Sequence, residues 1–140
     1  MKADAQIEMA VPFVDVDSMG IVWHGHYVKY FELARCELLN QIGFGYTAMH
    51  TSPFSWPVID MKLRYVQPVK FEQKIQIAAQ FIDWDVRLKI GYLITDAVTN
   101  ARLTKGHSVQ VAVNRENHEL QFGLPDIMSR KIDQWVKTHR

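Results

Sequence analysis

Alternating apolar and polar residues run through most of the chain and predict a sheet of about five strands. The first run begins at Gln6 and places apolar side chains at every second position up to Phe13. Four further runs follow at Val58–Tyr65, 74–82, 87–98 and 103–113. Because only short turn-forming stretches separate them, we expect these four to lie side by side as an antiparallel meander.

One long segment instead has the spacing of a helix. Apolar residues occupy positions 27, 30, 31, 34, 38 and 42, and Gly43 then provides a C-terminal stop. Ten of the sixteen residues from Tyr27 to Ile42 are apolar, which favours a helix largely enclosed by the rest of the fold. An ordinary amphipathic helix on one face of a sheet is the alternative.

A second helix is predicted at the end of the chain. Pro125 and Asp126 favour its start, and an apolar stripe follows at Ile127, Met128, Ile132, Trp135 and Val136. The chain of 140 residues has the size of one domain. We therefore expect a single α+β domain spanning residues 1–140, in which a five-stranded antiparallel sheet wraps around one long helix.

Composition and charge exclude several classes of protein. The 16 Lys and Arg residues are offset by 15 Asp and Glu, so the basic surplus typical of nucleic-acid binding is missing. Cys36 is the single cysteine, which suits a reducing compartment, and we expect it to be a small buried side chain. The sequence also contains no apolar run typical of a signal peptide or membrane span, so a cytoplasmic protein without a membrane partner is expected.

Candidate chemistry concentrates between the first strand and the long helix. Asp15 and Asp17 precede Gly20 and the helix start. A carboxylate beside a helix N-terminus can act as a base or nucleophile while the free N–H groups polarise a carbonyl oxygen. Equally, such residues serve as turn and N-cap residues. His24 and His26 would not share a helix face and have no third ligand at a recognisable offset, so no metal site is expected.

The stretch from Asp15 to Arg35, D-V-D-S-M-G-I-V-W-H-G-H-Y-V-K-Y-F-E-L-A-R, resembles the signature of hot-dog-fold acyl-CoA thioesterases of the 4-hydroxybenzoyl-CoA type. That signature reads D-x-D-x-x-G-x-V-x-H-x-x-Y, followed by an aromatic residue and E-x-A-R. The resemblance extends over nearly the whole chain and includes R-Y-V-Q-P-V-K-F-E, Arg64 to Glu72. It implies a hot-dog fold with an extra C-terminal helix, in subunits that join their sheets edge to edge as dimers or tetramers.

The resemblance also implies an activity, the hydrolysis of an acyl-CoA to a carboxylic acid and free CoA. Asp17 would be the catalytic nucleophile or general base, and the backbone N–H of His24 would polarise the thioester carbonyl. Tyr27 would line the pocket. Coenzyme A is then part of the substrate, and no separate cofactor is expected. The remaining expected contacts are Trp56, Pro57, Val58 and Ile59 for the acyl group, from a neighbouring subunit, and Arg87 and Lys89 for the CoA phosphates.

Two alternatives keep the same fold. Hydrolysis of a thioester on an acyl carrier protein would be favoured by a basic patch at the pocket mouth, formed by Lys62, Arg64, Arg87 and Lys89, because carrier proteins are acidic. Alternatively, the chain binds acyl-CoA without catalysis, since a fold does not by itself imply an activity.

Overall fold

The structure is a computed structural model that describes residues 3–140. Its predicted α+β composition is confirmed: a five-stranded antiparallel sheet packs against a long helix, and a second long helix ends the chain. No helix within residues 3–140 is long and apolar enough to cross a membrane. The strands are β1 (Ala5–Ala10), β2 (Phe54–Ser55), β3 (Val58–Tyr65), β4 (Lys74–Asp83), β5 (Leu88–Asp96), β6 (Arg102–Gln110) and β7 (Val113–Asn114), and the helices are α1 (His26–Gln41), α2 (Tyr46–Thr51) and α3 (Asp126–His139).

The strand order corrects one prediction. The main sheet runs β1-β4-β5-β6-β3, so β3 pairs with β6 at the far edge and does not lie beside β4. The meander prediction was therefore wrong for β3 and right for β4, β5 and β6. Residues 66–73 do not form a tight turn, because their backbone bonds to the loop before α1: Val22 N–H donates to Val69 O at 2.8 Å, and Phe71 N–H donates to Gly20 O at 2.9 Å.

Helix α1 covers one face of the sheet. Its buried residues are Tyr27, Tyr30, Phe31, Ala34, Leu38 and Leu39, and they meet the alternating apolar side chains of β1, β4 and β5. The opposite face of the helix carries exposed Lys29, Leu33 and Cys36. In the single chain, α1 is therefore an amphipathic helix on one face of the sheet, the alternative that the sequence left open. The expectation that Cys36 is buried was wrong.

Gly106 on β6 allows α1 to approach the sheet closely. A Cβ atom at this position would lie 2.1 Å from Lys62 O and 2.8 Å from Phe31 Cε2. The Phe31 ring stacks on Tyr92 of β5, the strand next to β6, with ring centroids 4.5 Å apart and an interplanar angle of 8°. Both rings are buried. The helix-to-sheet contact at this point therefore depends on a position without a side chain.

Helix α3 begins after Pro125, as predicted, and buries Met128 and Ile132. Trp135 packs edge-on against Phe81 of β4. At the end of the helix, the Arg140 guanidinium pairs with the buried carboxylate of Asp4 and also donates to Phe81 O at 2.7 Å. These contacts fasten α3 to the β1–β4 side of the sheet.

Candidate active site

The loop from Asp15 to His24 is a narrow hairpin that leads into α1. Asp17 N–H donates to Ile21 O at 2.8 Å, and Trp23 N–H donates to Asp15 O at 3.0 Å. Gly20 has a φ of 75°, the left-handed region that favours glycine, and closes the turn. Because residues 66–73 bond to the other side of this loop, its backbone is held from both flanks.

Asp15 is the buried carboxylate of the loop, with 1% of its surface exposed. It accepts a hydrogen bond from the Tyr30 hydroxyl at 2.7 Å and forms an ion pair with Lys29, while His26 Nδ1 lies 3.9 Å away. Burial alone would raise the pKa of Asp15, but these hydrogen bonds and charges outweigh it and hold the pKa below the ordinary 3.8. Burial and the neighbouring Asp15 raise the pKa of Tyr30 far above its ordinary value. Asp15 thus anchors the loop to α1.

Asp15→Asn is expected to lower the free energy of unfolding by about 1–3 kcal/mol at pH 7, because the buried group that bonds to the Tyr30 hydroxyl and pairs with Lys29 loses its charge. Since the folded pKa lies below the unfolded one, the charge of Asp15 stabilises the protein above about pH 4, and this contribution is lost as pH falls through the folded pKa. Urea unfolding at pH 7, 4 and 3 should show the difference between wild type and variant shrinking. The exposed Asp126→Asn serves as control; a difference that stays constant with pH would contradict the role of the charge.

Asp17 is exposed, and only one of its two carboxylate oxygens accepts hydrogen bonds within the loop. Its Oδ1 accepts from Met19 N–H at 2.8 Å and from Ile21 N–H at 3.3 Å. Its Oδ2 accepts no hydrogen bond from any residue that the structure describes. The backbone therefore fixes the orientation of the carboxylate and leaves one oxygen available to a ligand. These are the contacts of a turn residue, and they are also compatible with a base or a nucleophile.

The start of α1 presents unpaired backbone donors. Gly25 is the N-cap residue and provides no side-chain cap. Across residues 3–140, the N–H groups of His24 and Gly25 find no acceptor. The Tyr65 hydroxyl donates to His24 O at 3.2 Å. Because that carbonyl and the Gly25 N–H belong to the same peptide group, this bond polarises the peptide and strengthens its N–H as a donor.

A mostly apolar cleft of about 340 Å³ opens beside His24. Tyr27, from the first turn of α1, is buried there: its hydroxyl accepts from Val69 N–H at 3.3 Å, and its ring packs edge-on against Tyr65 at 4.9 Å. The structure thus brings His24 and Tyr27 together, whereas Asp17 lies in the adjoining loop and does not line the cleft. Tyr65 was missed, although it belongs to the segment Arg64–Glu72 that carries the resemblance. The lining residues are Ile21, Val22, His24, Tyr27, Tyr65, Val66, Gln67 and Pro68.

The four residues expected to contact the acyl group lie elsewhere in the same chain. Trp56 is buried, donates its indole N–H to Ser52 Oγ at 3.1 Å and packs among aromatic rings. Pro57, Val58 and Ile59 follow it at the beginning of β3 and are exposed. Tyr65 ends the same strand and lies about 23 Å from Val58, because each of the seven steps from one residue to the next advances an extended strand by about 3.3 Å. One chain alone therefore does not bring these residues to the cleft.

The other charged and metal-binding candidates are also separate from the cleft. Arg87 and Lys89 lie where β4 turns into β5. Their charges act on His107: burial lowers the pKa of His107 most, followed by the charge of Lys89, with smaller effects of Lys62 and Arg87. The His24 ring packs against Trp23, and the His26 ring faces Asp15. In the described part of the chain, no group of three or more His, Cys, Asp or Glu residues could hold a metal ion.

Known proteins share this sequence and fold. A relative from Bacillus subtilis strain 168, provisionally named acyl-CoA thioesterase YneP, is 27% identical over 123 residues, which cover 85% of this chain and 88% of that protein. The acyl-CoA thioester hydrolase YbgC of Escherichia coli O6:H1 is 25% identical over 103 residues, 74% of this chain and 75% of its own. A thioesterase from Thermus thermophilus, solved with coenzyme A and Zn, superposes with a TM-score of 0.78 at 20% identity and 96% coverage of both chains. The family model of the thioesterase-like superfamily matches residues 11–136, and the chain belongs to this superfamily.

Proposed function

We propose that the protein hydrolyses acyl-CoA thioesters to a carboxylic acid and free CoA. The observation that carries this proposal is the junction of loop and helix, where the free Oδ2 of Asp17 and the unpaired N–H groups of His24 and Gly25 occur within nine residues of chain. A carboxylate and polarised backbone donors are the two elements that thioester hydrolysis needs. The names of the relatives from B. subtilis and E. coli support the same activity.

In the proposed reaction, the thioester oxygen accepts from the N–H groups at the start of α1, where the helix dipole also favours negative charge. Asp17 takes a proton from a water molecule, whose oxygen then bonds to the thioester carbon. Collapse of the tetrahedral intermediate breaks the C–S bond, and the CoA thiolate leaves and is protonated. Alternatively, Asp17 attacks the carbon directly and displaces the CoA thiolate, and water then hydrolyses the resulting mixed anhydride to the carboxylic acid and free Asp17.

The test is thiol release from a panel of short aliphatic, long aliphatic and aromatic acyl-CoAs, including 4-hydroxybenzoyl-CoA, because the resemblance points to that type. Turnover of at least one acyl-CoA is the expected result. No turnover of any thioester, together with tight binding of acyl-CoA, would instead support the non-catalytic alternative. Faster turnover of the same acyl group on an acyl carrier protein would favour the carrier as the substrate.

We also propose that the chain acts as a dimer joined through β3. This strand is one of the two edges of the main sheet, is eight residues long and exposes Val58 and Ile59, and an uncovered edge of this kind favours pairing with another strand. If two copies pair antiparallel, the start of one β3 lies beside the end of the other. Val58 and Ile59 of one copy would then approach Tyr65 and the cleft of the second.

Ile59→Lys is expected to shift the protein from a dimer to a monomer, because Ile59 is 58% exposed in the single chain and a charge there would be buried by pairing. Sedimentation equilibrium of wild type and variant measures the change. The matched control is Val98→Lys, which places the same charge on the exposed turn after β5. A monomeric wild type, or a variant that stays dimeric, would contradict pairing through β3.

A further inference from the structure

A cationic groove lies on the face of the sheet opposite α1. Lys62 pairs with His107, and Arg64 pairs with Lys105, in the register of β3 and β6. Gly106 lies between Lys105 and His107 and faces α1, and its partner Leu63 lies between Lys62 and Arg64. Because neighbouring side chains of a strand point to opposite faces, Lys62, Arg64, Lys105 and His107 point away from the helix. Arg102, at the start of β6, extends the row.

The groove is formed by two adjoining cavities of about 350 and 480 Å³. Arg64, Leu93, Arg102 and Lys105 line both, so the two are continuous. Gly91 of β5 faces outward beside His107 and has no side chain to fill the space between the basic residues. The result is a recess walled by cations and not a flat surface with scattered lysines.

The cations of the groove lack carboxylate partners. None of its four Lys and Arg side chains lies within 4 Å of a carboxylate in residues 3–140; the ion pairs found there involve other residues. Burial and then the charge of Lys89, with smaller effects of Lys62 and Arg87, lower the pKa of His107 in the groove and outweigh the opposing charge of Asp60. Closely spaced unpaired cations repel each other, so an anion with several charges would bind favourably.

The groove also reaches the candidate active site. Tyr65 and Val66 line the larger cavity and also line the cleft that contains His24 and Tyr27. A ligand could therefore pass around the end of β3, with one end at the start of α1 and the other among the basic side chains. An acyl-CoA has this form, since the flexible pantetheine arm separates its thioester from a diphosphate and a 3′-phosphate.

We propose that this groove binds the phosphate groups of coenzyme A, with Arg64, Arg102 and Lys105 as the main contacts. The proposal rests on the proposed function, because it assigns the far end of the same substrate. One Arg side chain can donate two parallel hydrogen bonds to a phosphate group, and a Lys side chain adds a compact positive charge. Arg87 and Lys89, which the sequence suggested for the phosphates, do not line the groove, and they supply a matched comparison.

The experiment combines variants with shortened substrates that carry one acyl group, namely acyl-CoA, acyl-3′-dephospho-CoA and acyl-pantetheine. The double variant R102Q/K105Q is expected to lower kcat/KM for acyl-CoA about tenfold or more, mainly through KM. For acyl-pantetheine, which lacks phosphates, kcat/KM should stay within about twofold of wild type. The comparison variant R87Q/K89Q removes the same charge outside the groove, so its loss of kcat/KM for acyl-CoA should be several-fold smaller than that of R102Q/K105Q.

Several outcomes would overturn the assignment. An equal loss on all three substrates would show that the variant damages the fold, and a phosphate-dependent loss confined to R87Q/K89Q would place the phosphates there. A fourth substrate, the same acyl group on an acyl carrier protein, completes the test: a loss on it with unchanged turnover of acyl-CoA would show that the groove docks an acidic protein. Calorimetric titration with CoA itself separates the two proposals. If R102Q/K105Q binds CoA more weakly but the wild type turns over no thioester, the groove assignment stands and the proposed activity is wrong. If the wild type turns over acyl-CoA and the variant binds CoA as tightly as the wild type does, the activity stands and the groove assignment is wrong.

Discussion

Asp17→Asn is expected to lower kcat for thioester hydrolysis by about 10²–10⁴-fold, the usual contribution of a catalytic base. The asparagine side-chain oxygen can still accept from Met19 and Ile21 N–H, so the loop should keep its conformation. The amide can neither take a proton from water nor attack the thioester carbon at neutral pH. KM should change little, because Asp17 does not line the cleft.

The measurement is thiol release under single-turnover and steady-state conditions, with urea unfolding as a check on the fold. Asp126→Asn removes the same charge from an exposed position at the start of α3 and is the control. Unchanged turnover in Asp17→Asn would leave Asp17 as a turn residue and would contradict its proposed role. Rapid accumulation of an acyl-enzyme in the wild type would favour the nucleophile over the general base.

Gly106→Ala is expected to lower the free energy of unfolding by about 3 kcal/mol, at the upper end of the cost of adding a methyl group to a packed site. The added Cβ would lie 2.1 Å from a backbone oxygen of β3 and 2.8 Å from the Phe31 ring. Neither atom belongs to the flexible end of a side chain, so β3 and β6 must separate or α1 must move. Equilibrium unfolding in urea, at a pH where wild type unfolds reversibly, measures the change.

Gly91→Ala is the control for this prediction, since it adds the same methyl group to the neighbouring strand of the same sheet. Its Cβ would meet only the end of the Ile82 side chain, at 3.2 and 3.3 Å. We expect a change within about 1 kcal/mol, because that side chain can shift and alanine is less disordered than glycine in the unfolded chain. Equal losses in both variants would show that the loss of glycine, and not the contact with Phe31 and β3, determines the cost.

Local patterns predicted the elements of this fold well and their arrangement less well. Helical spacing located α1 within one residue at each end, and alternation identified the long strands. The strand order was missed at β3 because strand pairing is non-local, and residues 66–73 carry no pattern that shows where they cross. The two-residue strands β2 and β7 are too short to produce any alternation.

The same division between local and non-local features holds for the candidate site. Asp17, His24 and Tyr27 are close in sequence, so a contiguous motif could identify them, although their roles stay predictions. Tyr65 and the cationic groove come from β3, β5 and β6, which meet only in the folded sheet. Cys36 was expected to be buried because an apolar-rich helix suggests enclosure, but spacing alone does not show which face other elements cover.

The glycine at the uncapped start of α1 has a local structural explanation. Replacing Asn, Asp or Ser at an N-cap with alanine typically costs a helix about 1 kcal/mol, whereas replacing it with glycine costs only about a few tenths. At position 25 the chain has glycine, whose Cβ replacement would collide with the Trp23 ring at 2.1 Å. A side-chain cap at this position would accept from the N–H of Tyr27 or Val28 and would leave the N–H groups of His24 and Gly25 free. The space taken by the Trp23 ring therefore explains the glycine at this end of the helix, and the exposed donors follow from that packing.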